Sequence, residues 1–360
     1  MRLRYRRLAA IMNDYPGYAR HGRGVQSAAK DLLRSRPQPP MPPLKISVAL
    51  CTYNGERFLP QQLSSIRQQS TLPEEVVACD DGSTDRTVAI LREFAASVLF
   101  PVRIFENQKN LGYAANFEQA IRTCEGDLIA LSDQDDIWHP HRLERSRHEF
   151  TDNPEVGLVF SDADVIDDEG NRFGATLWKR LGFAGGRKRE LLAGNFVVLA
   201  KYRFITGATL MFRASLRPHI LPIPSGWIHD EWIAMMAPAF SDMRPIDQPL
   251  IRYRLHASQQ VGFQNKLERH AQGNHWRRLA HSAGELEQLC DVLTAMDPLQ
   301  RPEVLLAYRQ HLQFLRFRSN LPENRGLRLA PVLAHLPGYG EHASGWRSVL
   351  KDLVTPGPQS

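Results

Sequence analysis

The sequence predicts an α/β protein in which a mainly parallel central sheet carries helices on both faces and is followed by a C-terminal helical region. Three observations predict it. Short apolar runs alternate with segments of helical periodicity from residue 45 onward; turn residues punctuate every run; and the last hundred residues keep the helical pattern and lose the strands. A chain of 360 residues that is 42% hydrophobic and 23% charged has the composition of an ordinary globular protein, which excludes disorder and fibrous architectures as its main content.

Taken in order, residues 45–51 read KISVALC, an apolar run between prolines and Asn54-Gly55, and predict the first buried strand. Over 58–69, Leu59, Leu63 and Ile66 recur at three and four positions and share a helical face. A second strand, 75–79, ends at Asp80-Asp81-Gly82, after which Ser83 or Thr84 is the expected cap of a helix carrying Val88, Leu91 and Ala95. Residues 102–105 make a third strand, 113–123 a third helix and 128–131 a fourth strand that stops at an acidic loop. Such alternation demands right-handed crossovers and a parallel sheet.

Charge is unevenly distributed. Residues 1–44 carry a net +7 and the rest of the chain −1, which recovers the overall +6. The basic segment ends in Pro37-Gln38-Pro39-Pro40-Met41-Pro42-Pro43, an extended spacer. The expected organisation is therefore a basic, proline-ended extension over 1–44, a catalytic domain over 45–262 and a helical region over 263–360. The extension suits contact with an anionic membrane surface or simple solvation; no nucleic-acid partner is expected. The apolar stretch at 191–200 is too short to span a bilayer, and the run near the start is broken by Asn13 and Asp14, so neither a spanning helix nor a cleaved signal is expected. Cys51, Cys79, Cys124 and Cys290 form no CxxC pair, which fits a reducing, cytoplasmic compartment.

In a parallel sheet the ligand lies beyond the carboxyl ends of the strands. Those ends here supply Thr52-Tyr53-Asn54, then Asp80-Asp81, then Asp133-Gln134-Asp135-Asp136. No G-x-G-x-x-G follows the first strand and no P-loop occurs, so phosphate needs another partner. A divalent ion, Mg²⁺ or Mn²⁺, on Asp133 and Asp135 meets that need, because such ions take hard oxygen ligands and keep positions open for diphosphate oxygens. Asp80 beside Gly82 reads as a turn residue, and Asp162, Asp164, Asp167 and Asp168 read mostly as a polar hairpin turn, with Asp162 or Asp164 facing sugar.

The runs TYNGERFLPQQLSSIRQQS, CDDGSTDRT, NLGYAANFEQAI and LSDQDDIWHP, in this order and each after a predicted strand, resemble the family 2 glycosyltransferases, whose fold is the GT-A nucleotide-sugar-binding domain. The resemblance covers roughly residues 45–260. WIHDEWIAMMA and PLIRYRLHASQQVG further resemble bacterial rhamnosyltransferase-like members. The resemblance implies a nucleoside pocket at Thr52, Tyr53 and Asn54, a base-binding carboxylate at Asp81, a donor-side contact at Asn116, the metal motif at Asp133 and Asp135 with Asp136 completing the turn, and a general base at Asp230. Arg254 and His256 match positions near the diphosphate. Where many members have Glu-Asp this chain has His229-Asp230-Glu231, which keeps Glu231 as a second candidate base; Gln259 stands where many relatives carry Asn.

The implied activity is metal-dependent, inverting transfer of a sugar, rhamnose among the candidates, from a nucleotide diphosphate donor to an acceptor hydroxyl. A lipid-linked saccharide in surface polysaccharide assembly is the implied acceptor, with the protein peripheral on the inner face of the cell membrane. Two other classes remain open on the residues alone. A nucleotidyltransferase would use a similar acidic sheet edge but needs a glycine- and basic-rich loop after the first strand; a noncatalytic surface adaptor would tolerate loss of every carboxylate named.

Overall fold

The structure, a computed structural model, describes residues 42–256, 259, 275–296 and 298–357. Eight strands, β1 (Ile46–Thr52), β2 (Glu75–Asp80), β3 (Val102–Glu106), β4 (Leu128–Ser132), β5 (Ile137–Trp138), β6 (Val156–Ile166), β7 (Leu210–Arg213) and β8 (Asp242–Arg254), form one sheet in the order β3-β2-β1-β4-β7-β6-β8-β5. The half β3-β2-β1-β4 is wholly parallel, as the alternating pattern predicts. Beyond β4 the sheet is mixed: β7 runs antiparallel to both β4 and β6, and β5 antiparallel to β8. Periodicity alone does not encode strand direction, and β7 enters only after an excursion of three short helices.

Helices α1 (Leu59–Arg67), α2 (Thr87–Ser97), α3 (Tyr113–Thr123) and α4 (Arg142–Asp152) follow β1, β2, β3 and β5. The central strand β1 is buried at every position, because both faces of the sheet are covered. Its side chains alternate: Val48 and Leu50 join a core with Leu63, Leu91 and Phe150, while Ala49 and Cys51 join one with Phe117, Trp232 and Tyr308. All four cysteines are buried and free.

The expected cap of α2 is replaced. Ser83 Oγ donates to Asp80 Oδ1 at 2.6 Å, and Thr84 N donates to Asn54 Oδ1 at 2.9 Å. With both residues used to close the loop, the helix starts at Thr87, whose N–H donates to Asp85 Oδ1 at 2.9 Å. The reading of residues 162–168 as a hairpin turn also needs correction. Asp162 and Asp164 lie within β6; Asp162 Oδ1 accepts from Trp178 N at 2.9 Å, and Asp164 pairs with Arg172 at 2.8 Å. Only Asp167 and Asp168 turn the chain, with Gly170 N donating to Asp167 O at 3.1 Å.

Between β6 and β7 lie α5 (Leu177–Leu181), α6 (Gly186–Leu192) and α7 (Val197–Tyr202); α8 (Arg217–Ile220) and α9 (His229–Met236) precede β8. The C-terminal region is helical as expected: α10 (His275–Ala295), α11 (Pro302–Ser319), α12 (Leu329–Ala334), α13 (Leu336–His342) and α14 (Trp346–Val354). Its Val304, Tyr308, Leu312 and Leu315 share the core that holds Trp232 of α9, and Tyr308 Oη donates to Met235 O at 3.1 Å. Residues from Leu44 onward form one unit. Among the described residues no helix is long and apolar enough to cross a membrane. The basic extension, its proline spacer up to Met41, and most of residues 257–274 lie outside the described residues.

Candidate active site

The carboxyl ends of β1, β2 and β4 open into a cleft of about 480 Å³. It is lined by Thr52, Tyr53, Asn54, Asp81, Asn116, Asp133, Asp135, Asp230 and His256, nine of the ten residues the sequence singles out as site residues. Arg254 is the exception.

At the β1 and β2 ends the chain is held by side chains. Thr52 Oγ1 donates to Asp80 Oδ1 at 2.8 Å, which makes Asp80 the organiser of the turn. Asn54 adopts the left-handed conformation, with φ of 46°, that Asn tolerates better than most residues. Asp81 is buried and accepts from Asn107 Nδ2 at 3.0 Å and from the amides of Leu111 and Gly112 at 2.8 and 2.9 Å. A carboxylate offers about four lone pairs, so these three bonds leave acceptor capacity for a ligand. Asn116 stands behind it, donating from Nδ2 to Cys79 O at 2.8 Å and accepting from Asn107 at 3.1 Å. Its geometry is that of a residue positioning the Asp81 loop.

The acidic turn after β4 is tied to both flanks. Gln134 Oε1 accepts from Tyr53 N at 2.8 Å and its Nε2 donates to Tyr53 O at 2.9 Å. Asp135 Oδ2 lies 2.8 Å from His256 Nε2. Asp136 is buried and accepts at Oδ1 from Arg254 N at 3.0 Å. Burial, reinforced by the charges of Asp135 and Asp133, pushes the Asp136 carboxyl well above the usual range. Tyr253 is likewise pushed up, first by burial and then by Asp136, Asp133, Asp135 and Asp230.

The Arg254 guanidinium does not line the cleft. It is buried behind the acidic turn, donating to the backbone oxygens of Asp135, Asp167 and Asp168 at 2.8, 2.9 and 2.8 Å and to Gln61 Oε1 at 2.6 Å. Five donors on a planar fork suit such bracing, and they are spent on the protein rather than pointed at a ligand. The Phe58 ring packs against both the Arg254 guanidinium, at 4.6 Å, and the His256 ring, at 4.7 Å.

Across the cleft, Asp230 and Glu231 open α9 and diverge. Asp230 Oδ2 accepts from Gly207 N at 2.8 Å and Oδ1 from Glu231 N at 2.7 Å. Glu231 points out of the cleft into a buried ion pair with Arg203, at 2.7 Å, and Arg203 also pairs with Glu285 of α10. Successive helical side chains project about 100° apart, so only one of the two acids faces the cavity. The His229 ring stacks on Phe117 with centroids 3.9 Å apart.

Gln134, Tyr253, His229 and Phe117 line the cleft without having been singled out by the sequence reading. Gln134 carried a signal, being a polar residue inside an acidic turn; the other three are apolar or aromatic positions indistinguishable from core in a linear pattern. No three His, Cys, Asp or Glu residues gather into a ready-made metal cluster among the described residues. Two hard carboxylates, Asp133 and Asp135, nonetheless fit a small divalent ion, since Mg²⁺ is typically held by one or two carboxylates plus substrate phosphates and water.

Comparison with known proteins agrees with this architecture. Residues 47–216 match the family model of Glycosyl transferase family 2. The chain is 28% identical over 222 residues to an uncharacterized glycosyltransferase of Nostoc sp., covering 60% of this chain and 66% of that protein. It is 34% identical over 126 residues to chondroitin synthase of Escherichia coli, covering 35% of this chain and 18% of that protein. It spans less than two thirds of the length of the curated relatives it matches. Among solved structures, S. aureus TarS 1-349 superposes with a TM-score of 0.51 at 18% identity, over 88% of this chain and 81% of that one. That likeness fixes the fold, and with the strand-end residues converging as described, residues 47–216 form a glycosyl transferase family 2 domain of GT-A fold.

Proposed function

We propose that the cleft transfers a glycosyl group from a nucleotide diphosphate sugar to an acceptor hydroxyl with inversion at the anomeric carbon. The observation that carries the reading is the convergence of Asp133, Asp135 and Asp230 on one cavity while Glu231 is held outside it by Arg203. Asp230 takes the proton of the acceptor hydroxyl as that oxygen attacks the anomeric carbon; the bond from that carbon to the diphosphate oxygen breaks on the opposite face, so one carboxylate and one displacement suffice. The backbone N–H groups of Gly207 and Glu231 each bond one Asp230 oxygen and keep the carboxylate aimed.

Asp133 and Asp135 would hold Mg²⁺ or Mn²⁺, and when bound the ion supplies charge stabilisation to the departing diphosphate. His256 orients the Asp135 carboxylate through the 2.8 Å contact, and Arg254 and Gln134 hold the turn that carries both acids. Thr52, Tyr53, Asn54 and Asp81 form the nucleoside end, where the remaining acceptor capacity of Asp81 suits a base N–H.

A narrower reading, with a rhamnosyl donor and a lipid-linked saccharide acceptor at the membrane, draws support from the likeness of residues 227–237 and 249–262 to rhamnosyltransferase-like proteins. The test is a thermal-shift panel of UDP, dTDP, GDP and CMP with and without Mn²⁺, because a ligand bound only by the folded state raises its midpoint. Metal-dependent stabilisation by one nucleoside diphosphate is the expected result and fixes the donor class. Stabilisation by none of them overturns the donor assignment.

A further inference from the structure

Half of the twelve large apolar side chains exposed on the described residues fall between positions 327 and 354: Leu327, Leu329, Leu333, Trp346, Leu350 and Val354. Three of them define one helix face. On α14, Trp346 is 68% exposed, Leu350 59% and Val354 61%, four residues apart. At 3.6 residues per turn these positions spread over about 80° of the helix surface, and Arg347 and Lys351, both exposed, continue the same arc to about 140°. The opposite side is committed inward. Val349 packs in the core, and Asp352 accepts from Arg318 and Tyr339. Helix α12, bearing Leu329 and Leu333, packs beside α14.

An apolar strip bordered by cations has two candidate occupants, and charge decides between them. In a two-fold contact with a second copy, Arg347 and Lys351 of each chain would be brought toward their counterparts. A helix of nine residues, about 13 Å long, also falls well short of the roughly 800 Å² that each partner contributes to a stable interface. An anionic bilayer satisfies both halves of the arc. Trp, Leu and Val enter the boundary between headgroups and acyl chains, where an indole with a polar edge is favoured, and Arg347 and Lys351 meet lipid phosphates and carboxylates.

We propose that the exposed face of α14, Trp346-Leu350-Val354 with Arg347 and Lys351, docks this protein on the surface of an anionic lipid bilayer. The proposal is independent of the glycosyl-transfer reading, since it invokes no residue of the cleft. It also places the contact in the C-terminal helices rather than in residues 1–44 alone.

The test is flotation of the full chain with phosphatidylcholine vesicles with and without phosphatidylserine. Wild type is expected to float with the anionic vesicles. Trp346→Ser with Leu350→Ser should lower the bound fraction roughly tenfold, because binding scales with the apolar area inserted. Arg347→Gln with Lys351→Gln keeps the apolar strip, tests the rim separately, and should remove the preference for anionic lipid. Residues 1–44 are present in every variant, so binding carried by that extension alone would leave the bound fraction unchanged and overturn the assignment. Absence of wild-type binding overturns it as well. So does a concentration-dependent dimer that the Ser variant abolishes without any effect on vesicles.

Discussion

Gln134 and Tyr53 exchange two hydrogen bonds across the mouth of the cleft, Tyr53 N to Gln134 Oε1 at 2.8 Å and Gln134 Nε2 to Tyr53 O at 2.9 Å. The pairing imitates a step of sheet ladder between β1 and the acidic turn, beyond the point where β1 and β4 themselves pair. It couples the segment assigned to the nucleoside with the segment assigned to the metal.

Removing the clamp should therefore loosen both ends of the donor at once. Gln134→Ala loses two hydrogen bonds worth about 1 kcal/mol each, so a drop of a few degrees in Tm is expected, with donor KM raised more than kcat is lowered. Gly55→Ala offers an independent route to the same state. A Cβ on Gly55 would stand 2.2 Å from Gln134 Oε1, and the Gln side chain must swing away to accommodate it. Unchanged donor KM in both variants would remove Gln134 from the site.

Asp230 and Glu231 should separate chemistry from stability. Asp230→Asn keeps size but only one of the two backbone contacts, because its NH2 cannot accept from an N–H, and it loses the basic oxygen, so transfer should fall by roughly 10²- to 10⁴-fold at near-normal donor affinity. Glu231→Gln leaves Arg203 buried with Glu285 as its remaining ion-pair partner among those described, which should cost about 1–3 kcal/mol of stability with little loss of kcat. Transfer rate and Tm measured on both variants give the answer; loss of rate in Glu231→Gln with Asp230→Asn near wild type reverses the assignment.

Much of this was legible in the chain, for reasons the structure makes plain. The parallel half of the sheet could be read because β1, β2 and β4 are buried on both faces and so appear as unbroken apolar runs. β7 and β8 were not legible. β7 is a four-residue strand, and β8 contains Pro245 and Pro249, whose missing N–H groups break the strand signature. In the site, chemistry-bearing residues at strand ends could be located from sequence because topology alone gathers them on one edge. The direction of a side chain could not. The resemblance places Arg254 near the diphosphate, whereas its guanidinium turns inward to carbonyls of two loops distant in sequence.

The C-terminal helices meet on a buried acid. Asp352 accepts from Arg318 Nε at 2.7 Å and Nη2 at 2.8 Å, from His275 Nε2 at 2.6 Å and from Tyr339 Oη at 2.6 Å. Although burial opposes the charge, these donors, Arg318 foremost, lower its pKa to about 2. A depressed carboxylate stabilises the fold fully above its unfolded value near 3.9 and loses that contribution as pH falls toward the folded value. Wild type should thus lose about 2 kcal/mol from this group between pH 5 and 2, and Asp352→Asn should be destabilised by about 3–5 kcal/mol at pH 7 while showing a shallower acid decline. Parallel acid-denaturation curves for the two proteins would expose a mistaken assignment.

The ion proposed for Asp133 and Asp135 can be tested through nucleotide binding alone. Both carboxylates line the cleft, and their charges add to burial in pushing the Asp136 carboxyl above its usual range. Asp135→Asn removes one anionic ligand and replaces an acceptor facing His256 with an amide. Nucleoside diphosphate should still bind weakly through the β1 and β2 ends, but the additional Tm rise produced by Mn²⁺ should shrink to a small fraction of its wild-type value. His256→Ala leaves both carboxylates in place and frees Asp135 to rotate, so its Mn²⁺ response should be intermediate, in line with the roughly 10- to 100-fold affinity loss typical when a ligand's orienting partner is removed. Titration of Mn²⁺ at fixed nucleotide, read as Tm, orders the three proteins without any transfer assay. An Asp135→Asn curve that overlays wild type would show that the ion, if one binds, is held elsewhere.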